Sequence, residues 1–173
     1  MRLLFIASVA AAAGVWTVPV EVRHEDAVCV AYRARIDGPY LVVQAALGPG
    51  WHTFAMDNQK RAAEKLAGKP ALSVDKATEI VASGGLEIEG PWYQTTPKDF
   101  SRPGLRWFSW GFNQPALFAA KVKRTGGASA SLRVRGQACT ETVCKNIDVT
   151  ISMPVGAPAA TSELDLKQLI PVQ

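Results

Sequence analysis

Apolar and polar residues alternate with a period of two along most of this chain, and that rhythm restricts the fold more than any single motif. The runs "AVCVAYRARI", "YLVVQAAL", "LRWFSWGF", "ALFAAKVKR", "ASLRVRG" and "NIDVTISM" place side chains alternately on two faces of an extended backbone, with Gly or Pro clusters between most of them. Strands with an apolar face have to bury it against another layer, so the expectation is an all-β protein, a mostly antiparallel β-sandwich. One segment breaks the rhythm. "MDNQKRAAEKLAGKP" reads as a short peripheral helix, with Asp57 or Asn58 capping its start and Gly68 with Pro70 ending it.

With 48% apolar and 20% charged residues among 173, the chain can bury the core of one domain. Residues 1–20 carry one charge, Arg2, followed by an apolar, Ala-rich run, and read as a signal peptide or an N-terminal anchor. The organisation expected is therefore a leader over 1–20, a β-sandwich domain over 21–155, and a linker and C-terminal tail over 156–173. Within the last, "PVGAPAATS" reads as linker and "ELDLKQLIPVQ" as a short terminal helix or a frayed tail. No later apolar run approaches the ~20 residues a membrane helix requires, so no membrane span is expected in the mature chain. Without residues 1–20, 18 basic residues face 15 acidic ones, a balance of +3 that is too weak for a nucleic-acid partner.

Export points to an oxidising compartment, in which three cysteines allow one closed pair and leave one thiol over. Cys29 is the odd one. Alternation puts it on a strand face with Arg33 and Arg35, opposite Val28, Val30, Tyr32 and Ile36, less buried than a typical free cysteine unless a neighbouring element covers it.

The other two cysteines lie in "RVRGQACTETVCKNIDV". If "TETV" is a four-residue turn, Cys139 faces Cys144, and on the same face Arg135 meets Asp148, while Val134 meets Val149 and Leu132 meets Ile151 on the other. A slip of one residue would set the valines against polar partners, so the apolar and the charged pairs select the same register. The cysteines then fall on the polar face, where a disulfide can be reached. As a staple the bond is weak, because closing a ring of about six residues is worth roughly 2 kcal/mol against about 4.7 for a ring of a hundred. An ordinary structural hairpin disulfide remains one reading. A structural zinc site takes four ligands, and only Cys29, His24 and His52 could complete the set beside the pair, which makes it the weaker reading.

The succession of "GPGWHTFA", "PKDFSRPG" and "RGQACTETVCKNIDVTISMPV" resembles the N-terminal periplasmic domain of DsbD-type thiol:disulfide interchange proteins over about residues 27 to 155. The resemblance implies an immunoglobulin-like β-sandwich in the periplasm that exchanges electrons with thioredoxin-like proteins and requires no cofactor. It implies that Cys144 forms the mixed disulfide with a partner and Cys139 resolves it. It also implies a cap loop shielding the pair, matched here by Asp99 and Phe100, with His52 and Phe54 lining the same site. The membrane and thioredoxin-like domains that usually follow are not in this chain, so electrons would come from a separate protein.

Plainer roles exist for the same residues. Phe100 could be a core or strand-edge aromatic, and His52 could serve a loop hydrogen bond. The aromatic "LRWFSWGFNQP" could be a binding platform, though strand aromatics usually fill cores. Two other functions stand against exchange: a noncatalytic binding module with an inert disulfide, and a copper-handling accessory using His52, Met56 and the cysteines.

Overall fold

The computed structural model describes residues 14–71, 75–156 and 162–173. Its elements are β1 (Val20–His24), β2 (Ala27–Asp37), β3 (Tyr40–Leu47), β4 (His52–Phe54), α1 (Asn58–Leu66), β5 (Glu79–Gly84), β6 (Leu86–Thr95), β7 (Lys98–Asp99), β8 (Trp110–Phe112), β9 (Ala116–Arg124), β10 (Ser129–Cys139), β11 (Cys144–Pro154) and β12 (Leu169–Pro171). One sheet runs β1-β2-β3-β9-β6-β12 and the other β11-β10-β4-β8-β7, with β5 also paired to β10; every pairing is antiparallel. The protein is thus an immunoglobulin-like β-sandwich with a single short helix among the described residues.

Alternation supplies the core between the sheets. Val30, Tyr32 and Ala34 of β2, Leu41 and Val43 of β3, Phe118 of β9, Leu132 and Val134 of β10 and Ile151 of β11 all belong to one buried cluster. Each such aliphatic side chain contributes about 1.5–3 kcal/mol through removal from water. The β10–β11 hairpin has the expected register throughout: Cys139 opposite Cys144, Arg135 opposite Asp148, Val134 opposite Val149 and Leu132 opposite Ile151. The ion pairs run diagonally rather than straight across. Asp148 takes both a 2.8 and a 2.7 Å bond from Arg133, while Arg135 reaches Glu79 on β5 at 2.8 Å.

Because β11 occupies one edge of β10, β5 and β4 share the other, β5 against Ala130–Arg135 and β4 against Ala138 and Cys139. Gly136 lies between the two partners at φ +152, where a Cβ would press on the carbonyl oxygen of Ala77. β8 then packs on β4 so closely that a Cβ at Gly111 would collide with the carbonyl oxygen of Thr53.

Several expectations are corrected. "LRWFSWGF" is extended strand only over Trp110–Phe112; the residues before it form a hairpin tip closed by an Arg102–Trp107 bridge around a 3-10 turn at Pro103–Leu105. Asp57 precedes α1, but its carboxylate makes no cap bond. It accepts instead from Arg61 Nη2 at 2.8 Å and Gln94 Nε2 at 2.8 Å. The terminal segment is not frayed, since after a 3-10 turn at Leu166–Gln168 it becomes β12 and pairs with Tyr93, Gln94 and Thr95 of β6.

Of the expected leader over 1–20, residues 1–13 lie outside the described residues. The next stretch runs along β2, where Thr17 N donates to the carbonyl of Ala34 at 2.8 Å and Trp16 is flanked by the guanidinium groups of Arg33 and Arg35. No helix among the described residues is long and apolar enough to cross a membrane.

Candidate functional site

β10 ends at Cys139, and the turn 140–143 returns the chain to β11 at Cys144, with Thr140 holding the turn: Thr140 N donates to the carbonyl of Val143 at 2.8 Å, and Val143 N to Thr140 Oγ1 at 3.1 Å. The two cysteines form a disulfide with their Cα atoms 4.1 Å apart. The two sulfur-bearing residues differ in access. Cys144 is exposed, whereas Cys139, although on the outward face as the register requires, is only 3% exposed.

Next to Cys139 in the sheet stands β4, and beyond β4 the hairpin between β7 and β8. His52 is the direct β4 partner of Cys139. Its ring meets Phe54 edge-on at 5.3 Å and lies 5.1 Å from the ring of Phe100. Phe54 is fully buried under that contact. Phe100 follows β7, and its N–H donates to the carbonyl of Ser109 at 2.9 Å, so the two arms of the hairpin are clamped at the level of the aromatic ring. Lys98 Nζ stands 5.7 Å from the Phe100 ring centroid. A cavity of about 340 Å³ opens at this point, lined by Trp51, His52, Phe100, Arg102, Trp107, Thr140 and Glu141 among others.

His52, Phe54 and Phe100 thus form one aromatic group, joined to the cysteine hairpin by the pairing of His52 with Cys139, and Asp99 is not part of it. It is exposed, and its carboxylate accepts from Ser101 N at 2.8 Å. Burial holds the His52 imidazole below its ordinary range, with the Asp75 carboxylate partly opposing. At neutral pH the histidine is uncharged and does not supply a positive charge to a thiolate.

Cys29 corrects the alternation argument. β1 shifts register between Val22, opposite Val30, and Arg23, opposite Val28, so Cys29 is the extra residue of a β-bulge and turns into the core. Burial pushes its thiol up, an effect that Lys145 and Arg23 only partly offset. A protonated, covered thiol is a poor nucleophile. Among the described residues no three His, Cys, Asp or Glu side chains are grouped to hold a metal ion.

Sequence reasoning missed Trp51, Arg102, Trp107 and Thr140 as walls of the cavity, and Asp75 behind it. Trp51, Arg102 and Thr140 lie inside the motifs quoted above without a role assigned to them, Trp107 lies in the aromatic run "LRWFSWGF", and Asp75 had no signal.

No family model matches the chain, and no curated protein does. Among solved structures it is similar to the N-terminal periplasmic domain of ScsB from Proteus mirabilis, with a TM-score of 0.59 and 18% identity over 86% of this chain and 54% of that one. The chain thus spans about half the length of that structure. A reduced N-terminal domain of DsbD from Neisseria meningitidis aligns over 84% of this chain and 91% of its own, at 12% identity and a TM-score of 0.49. At these identities the likeness speaks to architecture alone, and the chain shares the fold of the ScsB N-terminal domain.

Proposed function

We propose that this chain is an exported thiol-disulfide exchange domain that passes electrons between thioredoxin-like partners through Cys139 and Cys144. The observation that carries the reading is the unequal access of the two cysteines, Cys144 exposed and Cys139 buried where its strand pairs with that of His52. An inert hairpin staple gains nothing from that asymmetry, whereas exchange needs it: the outer sulfur must meet a partner thiolate and the inner one must wait.

In the accepting direction a partner thiolate attacks Cys144 Sγ, the bond to Cys139 breaks, and Cys139 leaves as a thiolate that takes up a proton. A second partner thiol, deprotonated, then attacks the partner's own sulfur in the mixed disulfide and releases Cys144 as a thiolate that takes up the second proton. Two electrons and two protons have moved to the hairpin, and the partner leaves oxidised. In the donating direction Cys144 thiolate attacks an oxidised protein, and Cys139 thiolate resolves the mixed disulfide by attacking Cys144 Sγ. Phe100, His52 and Phe54 keep Cys139 from stray thiols until a partner displaces the hairpin that carries Phe100.

Trapping tests the roles. Reduced Cys139→Ala protein mixed with oxidised thioredoxin is expected to accumulate a covalent adduct on non-reducing gels, and Cys144→Ala is not. Equal adduct from both variants, or none from either, would sink the assignment.

A further inference from the structure

Behind the capping hairpin lies a carboxylate that the exchange chemistry does not use. Asp75, on the segment before β5, is 8% exposed, and its Oδ2 accepts two hydrogen bonds, from Trp107 Nε1 at 2.9 Å and from Ser109 Oγ at 2.8 Å. Both donors stand on the returning arm of the hairpin, and both are coupled to the cap. The carbonyl of Ser109 accepts the N–H of Phe100, and Ser109 N donates to Ser101 Oγ at 3.1 Å. Trp107 closes the hairpin tip against Arg102 and forms a wall of the cavity beside Thr140 and Glu141.

Asp75 is itself fixed from the other side. Its backbone carbonyl accepts from Nδ2 of the fully buried Asn58 at 3.0 Å, and Asn58 Oδ1 accepts from Trp110 N at 2.7 Å. The hairpin has little else to hold it. β7 pairs with β8 only through Lys98 and Asp99, and the tip from Arg102 to Arg106 is exposed. One carboxylate oxygen accepting two hydrogen bonds from this arm, beside the Asn58 bond to Trp110, is therefore a principal attachment of the hairpin.

We propose that Asp75 is the positioning residue of the cap, a buried anchor that holds Trp107 and Ser109 and, through Ser109, seats Phe100 against His52 over Cys139. The inference rests on the exchange reading, in which access to the cysteine pair is gated by this hairpin. Asp75 touches neither sulfur. It acts by setting how often the hairpin lifts, and its charge also reaches the His52 ring.

The test is the rate at which dithiothreitol opens the Cys139–Cys144 bond in the full chain, well below the melting temperature, by alkylation quench and mass. Asp75→Asn is expected to be reduced about ten-fold faster than the parent protein, equivalent to about 1.4 kcal/mol of lost closure. Trp107→Phe and Ser109→Ala, which each remove one donor, are expected to fall between, at about three-fold. In a histidine titration followed by NMR, His52 moves to a lower value in Asp75→Asn, because the opposing carboxylate charge is gone. A merely structural aspartate would lower the melting temperature and leave the reduction rate where it was, and that result overturns the proposal. If Asp75→Asn does not fold, Trp107→Phe and Ser109→Ala decide, and parental rates in both overturn it as well. Phe100→Ala separates the two levels of the argument. Fast reduction of Phe100→Ala beside a parental rate in the anchor variants removes the anchor alone, whereas a parental rate in Phe100→Ala removes the gating and the anchor together.

Discussion

The neutral state of His52 is what lets an imidazole pack between Phe54 and Phe100, and it carries a pH signature. Burial holds the folded-state value below the ordinary imidazole value of about 6.5, so the unfolded chain binds the proton first. Stability from this group is full above that ordinary value and is lost as pH falls through it towards the folded value. Urea midpoints measured between about pH 8 and pH 5 are expected to decline on the acid side, and His52→Gln to flatten that limb; identical profiles in both proteins would contradict the assignment. Asp57 does not confuse the reading. Burial pushes its carboxyl up, but the bonds from Arg61 and Gln94 prevail and hold it lower than usual, so its contribution is lost only below about pH 4. Cys139 and Cys144 were legible in the sequence as a facing pair because the alternation around them selects one register. Cys29 was misplaced because a bulge adds one residue to the alternation, and nothing in "LSVDKAT" distinguishes Asp75, whose partner Trp107 lies 32 residues away.

At the level of elements, the β10–β11 hairpin carries the site because its inner face is core. Leu132 and Val134 are fully buried opposite Ile151 and Val149, so the strand cannot slip without exposing them. Leu132→Ala is expected to cost about 2–5 kcal/mol in urea denaturation while leaving the disulfide pairing unchanged by peptide mapping; a cost below about 1 kcal/mol would mean the hairpin is held from elsewhere. Asp57 ties three elements together: Arg61 of α1, Gln94 of β6, and Gln173 N beyond β12 at 3.4 Å. Asp57→Ala leaves Arg61 partly buried without its partner, with an expected loss of about 3 kcal/mol, and a stability within about 0.5 kcal/mol of the parent protein would refute that role. The long strands were readable because eight to eleven residues of alternation leave one choice of face. β5 and β6 were obscured by Gly84, Gly85 and a register shift between Glu89 and Trp92, while β7, β8 and β12 have two or three residues each and are strands only because a distant partner makes them so.

For the molecule as a whole, the sandwich is a rigid frame that presents one short hairpin and one cap at the same place, β10 and β4 bringing Cys139 to His52 and β8 bringing the returning arm of the cap beside them. The frame also extends further towards the N-terminus than the boundary at residue 21 expected from the sequence. Trp16 and Thr17 are bound along β2, so a chain begun at residue 21 is expected to melt at a lower temperature than one begun at residue 14, and equal melting temperatures would show that this segment contributes nothing. Architecture alone does not decide function, since sandwiches serve many. The direct test of exchange is the reduction potential of the Cys139–Cys144 pair, measured by equilibrating the protein in graded thiol buffers and counting alkylated cysteines by mass. A value between about −120 and −270 mV, where thiol-disulfide oxidoreductases lie, is the predicted result; a value below about −300 mV would mark a structural bond and contradict the account.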